Sequence, residues 1–232
     1  MARDSKADQV YSVLREEILT GQSRPGESLS VLKMADRFGA SRTPVRDAFL
    51  RLESDGLVSL IDRQGARVAP ISVRGVRELF EIRIILEGSA SKQVAEAAAH
   101  DHEIRSAFTE FAEKFRAIAR EEPSPRRRDR FYALTEAFDQ AVIARTRNQR
   151  LSRMIADLRP HSARLRILAH AWPDRMDASL PEHLAMCEAI VNSDPDAAAS
   201  ACAAHLINTQ KIILAAVLES DSMSVPVDIV GP

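Results

Sequence analysis

Apolar residues recur every three or four positions along most of the chain, which is the spacing of amphipathic helices. The first apolar stripe runs over residues 9–20 and stops at Gly21. A second, shorter helix is predicted at about residues 30–38. A third begins at Ser41, and Pro44 lies in its first turn, where the missing N–H of proline costs nothing. The N-terminal part of the chain is therefore predicted to hold three helices.

The pattern then changes to short strands. Residues 57–60 and 66–68 have the composition of strands, and a polar turn with a glycine, residues 62–65, separates them. Three helices followed by a hairpin are the element order of a winged helix-turn-helix. We therefore predict such a domain at the N-terminus.

The spacing of three residues supports the helix-turn-helix itself. Ala35 is the small residue needed where two helices cross closely, Gly39 allows the positive φ of the turn, and Val45 anchors the next helix. This register leaves the start of that helix exposed, and it is the end that enters a major groove. Arginines there can bond guanine edges or phosphates, although they can also be ordinary solvated charges. The predicted DNA-reading residues are Ser41, Arg42, Thr43 and Arg46.

The remainder of the chain is predicted to be helical throughout. No glycine occurs between Ser89 and Val230, and alanine, leucine and charged residues dominate there. A short basic loop is expected at residues 123–130. The composition shifts close to residue 70, so we predict a winged helix-turn-helix domain over residues 1–70 and an all-α helical bundle over residues 71–232. The fold class is mostly α.

Composition narrows the range of functions. The 32 basic and 33 acidic residues give a formal net charge of −1, which argues against indiscriminate coating of nucleic acid. The longest apolar run, residues 212–218, is far shorter than the roughly 20 residues that span a bilayer. Two cysteines, Cys187 and Cys202, cannot build a disulfide framework. We expect a cytoplasmic protein without a membrane partner.

Two groups of polar residues in the helical part suggest chemistry. Arg83 and Glu87 lie one turn apart on an apolar stripe, either as a structural ion pair or with Arg83 awaiting a carboxylate ligand. His183 and His205 lie on the inward faces of two helices that a short turn makes antiparallel neighbours. With Asp139 they could ligate a divalent metal, but each histidine could equally be a hydrogen-bonded core residue. A zinc site that also uses the two cysteines is disfavoured, because small residues in an alanine-rich helix contact more often serve packing.

The stretch from Val10 to Pro70 resembles the DNA-binding domain of the GntR superfamily of bacterial transcription regulators. The resemblance is carried by ILTG and PG within residues 18–26, SRTPVRDA at 41–48, LRLESDGLV at 50–58 and RQGARV at 63–68. It implies that the four residues named above read the groove, and that the wing approaches the minor groove with Gly65 at its tip, preceded by Arg63. This chain has Leu32 where many relatives have an arginine.

Residues 73–218 resemble the helical effector domain of the FadR branch, often called FCD. The markers are LFEIRIILEGSAS at 79–91, FDQAVIARTRNQRL at 138–151 and EHLAMCEAIVNSDPDAA at 182–198. The resemblance implies a divalent metal (zinc, nickel or manganese) held by Asp139, His183 and His205. It also implies that an effector carboxylate is bound by Arg83 and Arg164, with Thr135 standing where the family usually has a carboxylate ligand.

The resulting hypothesis is a ligand-responsive transcription regulator, most simply a repressor. It would act as a homodimer on a near-palindromic double-stranded DNA operator, and a small organic acid would modulate its DNA affinity. One alternative is a metal-dependent hydrolase with the winged helix as a localisation domain, although the chain has neither an H-E-x-x-H nor a G-x-S-x-G motif. A further alternative is a winged helix used only for protein contacts.

Overall fold

The computed structural model describes residues 5–62, 64–170 and 175–220, without the side chains of residues 164, 166–170 and 220. These residues form helices and a small sheet, in the order α1 Lys6–Leu19, β1 Ser28–Ser30, α2 Val31–Phe38, α3 Arg42–Ser54, β2 Val58–Ile61, β3 Gly65–Val68, α4 Val73–Ala98, α5 His102–Ala119, α6 Pro125–Arg145, α7 Gln149–His170, α8 Arg175–Val191 and α9 Pro195–Ser220. The predicted fold class, mostly α with an N-terminal winged helix-turn-helix, is confirmed.

The chain divides into two compact units. The first comprises the described residues of Met1–Gly75, Pro160–Leu168 and Leu214–Pro232, and the second comprises those of Val76–Arg159 and Ala169–Ile213. We call them the winged-helix unit and the helical unit. The division therefore differs from the boundary predicted after residue 70, because the later parts of α7 and α9 group with the winged-helix unit.

The winged-helix unit is built around α1 and α3, which pack against each other. The stripe predicted on α1 is buried, and Val45, Phe49 and Leu52 of α3 face it in one apolar cluster. Ser5 caps α1 in a capping box with Asp8, which satisfies two backbone N–H groups at the start of the helix. The apolar positions thus fix which face of α3 is buried and which is exposed.

The sheet of the winged-helix unit has three strands in the order β1-β3-β2, all antiparallel. The hairpin β2–β3 agrees with the predicted wing. Strand β1 was not predicted, because three residues are too few to show an alternating pattern. It pairs Leu29 with Ala66, and both side chains are buried in the apolar cluster.

The helical unit has an aromatic core. Phe108, Phe115, Phe131 and Phe138 are buried, and edge-to-face contacts connect the rings of α5 with those of α6. The prediction of a loop over residues 123–130 is wrong, since α6 begins at Pro125 with Ser124 as its N-cap. The predicted turn between α8 and α9 is present.

Two further features of the helical unit concern α8 and α9. Cys187 and Cys202 are buried and free, and burial raises the pKa of both thiols to about 12. Helix α9 is long and apolar enough to span a membrane, with a mean hydropathy of 1.4 in its most apolar window. The same composition is typical of a helix that packs inside a protein, and His205 and Thr209 of α9 make polar contacts with α8.

Candidate functional site

The start of α3 is presented to solvent by the turn that precedes it. Gly39 ends α2 in the left-handed conformation, with φ of 56°, and Ala40 N–H donates to the Ala35 carbonyl. Ser41 then occupies the N-cap position of α3, and its side chain makes no capping hydrogen bond. With Val45 turned into the core, the residues on the other face of the first two turns are left outside.

All four predicted DNA-reading residues are exposed, namely Ser41, Arg42, Thr43 and Arg46. Within the described parts of the chain, no carboxylate forms an ion pair with Arg42 or Arg46. Asp47 of the same helix is also exposed. The two guanidinium groups are thus available to a ligand.

Two large apolar side chains are exposed in the same unit, and the sequence analysis did not assign either to DNA reading. Leu50 is 55% exposed and lies one turn after Arg46 on the same face of α3. Leu32, in the first turn of α2, is 58% exposed. Leu50 could have been identified, because it continues the i, i+3, i+4 spacing of the exposed face.

The structure corrects the position of Gly65 in the wing. Gly65 is buried at the start of β3, with φ of 143°, and the exposed part of the turn includes Asp62 and Gln64. A Cβ atom at Gly65 would lie 2.1 Å from the Leu29 carbonyl oxygen. The glycine is therefore required by the close approach of β1. Arg63, the predicted wing contact, lies outside the described residues.

The two predicted histidines of the helical unit meet, with ring centroids 4.6 Å apart. His183 of α8 is buried among Phe115, Phe131 and Phe138. Its Nδ1 lies 2.9 Å from the Ser179 carbonyl oxygen, which can only accept, so Nδ1 is the protonated nitrogen and Nε2 is an acceptor. Burial lowers the pKa of His183 to about 3, with a smaller contribution from His205. The ring is neutral at pH 7.

His205 of α9 is held by Glu182, a residue that the sequence analysis did not assign to the site. The Glu182 carboxylate accepts from His205 Nδ1 at 2.6 Å, from Arg175 Nη2 at 2.9 Å and from Asn208 Nδ2 at 2.9 Å. Burial opposes ionisation of Glu182, but the hydrogen bonds from His205 and Arg175 outweigh it and lower its pKa to about 2. Glu182 is therefore an ionised carboxylate at the centre of this cluster.

Arg175 is the second residue that the sequence analysis missed. Its side chain is only 5% exposed, and Nη2 donates to Glu182 and, at 2.6 Å, to Thr209 Oγ1. The contact of 3.4 Å between Nη2 and His205 Nδ1 joins two donors, because Nδ1 donates to Glu182, so it is not a hydrogen bond. Arg175 is the first residue of α8 and belongs to no apolar stripe that could have revealed it.

The metal set predicted from the sequence is not assembled. The described residues contain no group of three His, Cys, Asp or Glu side chains that could hold a metal ion. Asp139 lies 3.8 Å from Arg159 Nη1 instead, and it also acts electrostatically on Arg83. Thr135 is buried, and its hydroxyl donates to the Tyr132 carbonyl of its own helix. The two histidines present suitable nitrogens, but the third ligand is absent from the part of the chain that the structure describes.

Arg83 is engaged by Glu87, in agreement with the structural alternative. Arg83 Nε lies 2.6 Å and Nη2 3.2 Å from the two carboxylate oxygens of Glu87. The guanidinium also lies over the Phe80 ring, 4.9 Å from its centroid. A ligand carboxylate would therefore have to compete with Glu87. The side chain of Arg164, the other predicted effector residue, lies outside the described residues.

Comparison with known families accounts for both units. The profile described as "Bacterial regulatory proteins, gntR family" matches residues 6–68, and the profile described as "FCD domain" matches residues 78–208, more than half of the chain. The chain belongs to the gntR family of bacterial regulatory proteins. In this regulator the winged helix-turn-helix is thus the gntR domain, and α4 to α9 include the FCD domain.

Several known proteins are similar to this regulator along most of its length. The "Uncharacterized HTH-type transcriptional regulator YdhC" of Bacillus subtilis is 27% identical over 197 residues, covering 85% of this chain and 86% of the relative. The "HTH-type transcriptional repressor RspR" of Escherichia coli is 28% identical over 200 residues, covering 85% and 84%. The solved structure of "E. coli McbR/YncC" has a TM-score of 0.68 at 23% identity, covering 90% of this chain and 97% of that one, and shows the same fold.

The relatives are named as transcription regulators and not as enzymes. The family and these names indicate a transcription regulator, and none of them supports the hydrolase alternative.

Proposed function

We propose that this gntR-family protein is a cytoplasmic, homodimeric repressor that reads a near-palindromic DNA operator with the exposed start of α3. The observation that carries the proposal is the pair Arg42 and Arg46, both exposed and without an ion-pair partner among the described residues. Arginines at the N-terminal end of a recognition helix can bond guanine O6 and N7 in bidentate fashion. The name of the Escherichia coli relative supports repression.

The remaining residues of this face have distinct roles in the proposal. Ser41 and Thr43 contact phosphates or base edges beside the two arginines, and Leu50 contacts a thymine methyl group, since it is apolar and exposed in line with Arg46. Arg63 contributes a phosphate or minor-groove contact from the wing. Gly65 serves the wing by letting β1 and β3 approach. The DNA-binding domain proposed here comprises residues 1–70.

The helical domain, residues 71–232, is proposed to dimerise the protein and to bind a small organic acid. Two recognition helices related by a two-fold axis read two half-sites, so that short base contacts give adequate specificity. The acid shifts the population of dimers between arrangements with high and low operator affinity, by binding one arrangement better. The polar cluster of Arg175, Glu182, His183 and His205 is the place in the helical unit where buried charges and imidazole rings converge.

Operator binding tests the proposal. A preferred duplex is first selected from a random-sequence library with the full-length protein, and its affinity is then measured by fluorescence anisotropy at several salt concentrations. Arg42→Ala and Arg46→Ala should each weaken binding by about 1–3 kcal/mol if the arginine contacts a guanine. Arg116→Ala, which removes an exposed arginine of α5, should leave the affinity unchanged.

The outcome that contradicts the proposal is specific. Unchanged operator affinity in both α3 variants, with circular dichroism showing an intact fold, means that α3 does not read DNA. Selection that returns no preferred sequence, together with no salt-dependent binding, would favour a winged helix used for protein contacts alone.

A further inference from the structure

Helix α7 contributes residues to both units, and a proline lies inside it where the two contributions meet. Residues 149–159 of α7 belong to the helical unit, whereas residues 160–168 belong to the winged-helix unit. Pro160 has no N–H, so the helical hydrogen bond to the carbonyl of Ala156 is missing. Helices bend most easily at such positions. The direction of residues 160–168 therefore depends on the side-chain contacts made on either side of Pro160.

Arg159, directly before the proline, joins α7 to α6. Its Nη2 donates to Glu136 Oε1, and its Nη1 lies 3.8 Å from Asp139 Oδ2. The Arg159 side chain is only 19% exposed, so solvent and salt screen its charge less than that of a fully exposed arginine. The part of α7 that belongs to the helical unit is thus held by two carboxylates of α6.

His161, directly after the proline, lies against the C-terminal end of α3. A Cβ atom at Gly56 would lie 3.1 Å from His161 Cε1, so the imidazole ring fills space that a side chain at this position would need. Gly56 has a left-handed φ of 65°, and the N–H of the next residue, Leu57, donates to the Leu52 carbonyl at 2.9 Å. The ring of His161 therefore packs on the turn that ends the recognition helix.

We propose that Arg159 and His161 couple the helical unit to the recognition helix. The ion pairs of Arg159 set the position of α7 at Pro160, and His161 transfers that position to the end of α3. Arg159 is a positioning residue in this scheme, since a shift of α6 that moves it also moves His161 two residues later. The inference rests on the proposed ligand response of the helical unit and names the segment through which that response reaches α3.

Hydrogen exchange of the full-length protein, free of DNA, tests the coupling in peptides covering residues 52–61. Arg159→Gln removes both ion pairs, and exchange in these peptides should become at least about threefold faster because the end of α3 is held less firmly. Arg159→Lys keeps the charge and should restore most of the wild-type protection. Arg116→Gln is the matched control, because it removes an ion pair with Glu188 that joins α5 and α8, and exchange over residues 52–61 should stay the same.

A double variant shows whether Arg159 acts through His161. His161→Ala removes the ring from Gly56 and should by itself speed exchange over residues 52–61. Adding Arg159→Gln to His161→Ala should then speed it no further, because two residues on one route have non-additive effects. Wild-type exchange in Arg159→Gln, or fully additive effects in the double variant, would overturn the proposal. Glu136→Gln, at a carboxylate that is 46% exposed, should act in the same direction and keeps the proposal testable if Arg159→Gln does not fold.

Operator affinity provides a separate measurement. With the selected duplex, Arg159→Gln should bind at least about threefold more weakly, because a loosened α3 has to be ordered on binding, and Arg116→Gln should bind like the wild type. Faster exchange in Arg159→Gln with unchanged operator affinity would overturn the role of this contact in regulation. Failure to select any operator would overturn the proposed function instead, while the exchange data would still decide whether the coupling exists.

Discussion

Replacing Gly65 with alanine should destabilise the winged-helix unit by about 3–5 kcal/mol. Part of this cost is backbone strain, since φ of 143° is a conformation that residues with a side chain rarely adopt, at about 1–3 kcal/mol. The rest follows from the Cβ atom, which would lie 2.1 Å from the Leu29 carbonyl oxygen and force β1 away from β3. Moving β1 breaks hydrogen bonds worth about 0.5–1.5 kcal/mol each and withdraws Leu29 from the core.

Gly39→Ala is the matched control for this substitution. Gly39 also has a positive φ, 56°, but no atom lies within 4 Å of its would-be Cβ. Its substitution should therefore cost only about 1 kcal/mol, the usual penalty for a left-handed residue with a side chain. The comparison shows how much more the strained φ and the close contact at Gly65 cost than an ordinary left-handed turn position.

Urea denaturation of the full-length proteins, followed by far-ultraviolet circular dichroism, gives the two free-energy differences. Hydrogen exchange of peptides covering residues 57–68 then assigns the loss to the wing, with about tenfold faster exchange for each 1.4 kcal/mol. If Gly65→Ala costs no more than Gly39→Ala, the carbonyl of Leu29 does not lie over Gly65, and the explanation of this glycine fails.

Three further predictions concern the helical unit. Burial holds the pKa of His183 at about 3 in the folded state, so the unfolded chain binds a proton first as the pH falls below 6.5, and the unfolding free energy should drop by up to about 1.4 kcal/mol per pH unit down to pH 5. In urea denaturation, His183→Gln should remove this slope, and the exposed control His100→Gln should retain it. In sedimentation at micromolar concentration the full chain should have twice its monomer mass, and a monomeric wild type would contradict the dimer. Ile85 of α4 is an apolar residue that is 60% exposed, so Ile85→Glu should shift the protein toward monomer. Elemental analysis after mild purification should find less than one equivalent of zinc, nickel or manganese, because among the described residues two candidate ligands meet without a third. A full equivalent that His183→Ala combined with His205→Ala abolishes would mean that a third ligand exists.

The helix-turn-helix could be predicted because its determinants are local in sequence. The small residue, the turn glycine and the apolar anchor follow one another within one short segment, and each acts on its immediate neighbours. Strand β1 could not be predicted, since its pairing with β3 depends on the fold and not on its own three residues. The place of Gly65 in the wing could not be predicted for the same reason, because it depends on the backbone of β1, which is distant in sequence.

The polar cluster of the helical unit was predicted only in part. The short turn before α9, which makes α8 and α9 antiparallel neighbours, was enough to expect that the rings of His183 and His205 meet, and they do. Glu182 follows a different direction on α8, but its side chain is long enough to reach His205 Nδ1. The sequence did not determine which side chain Asp139 contacts, and the structure shows that it lies near Arg159 and is not grouped with the two histidines. Sequence spacing predicts which residues share a helix face, but not which residue of a neighbouring helix each one contacts.

The reactivity of the two buried cysteines can report local opening of the helical unit. Thiol reagents attack the thiolate, and with pKa values of about 12 and almost no exposure neither Cys187 nor Cys202 supplies one in the closed state. The rate at which a colourless disulfide reagent turns yellow therefore measures how often the packing around Cys187 of α8 and Cys202 of α9 opens. No foreign label has to be introduced to follow that motion in solution.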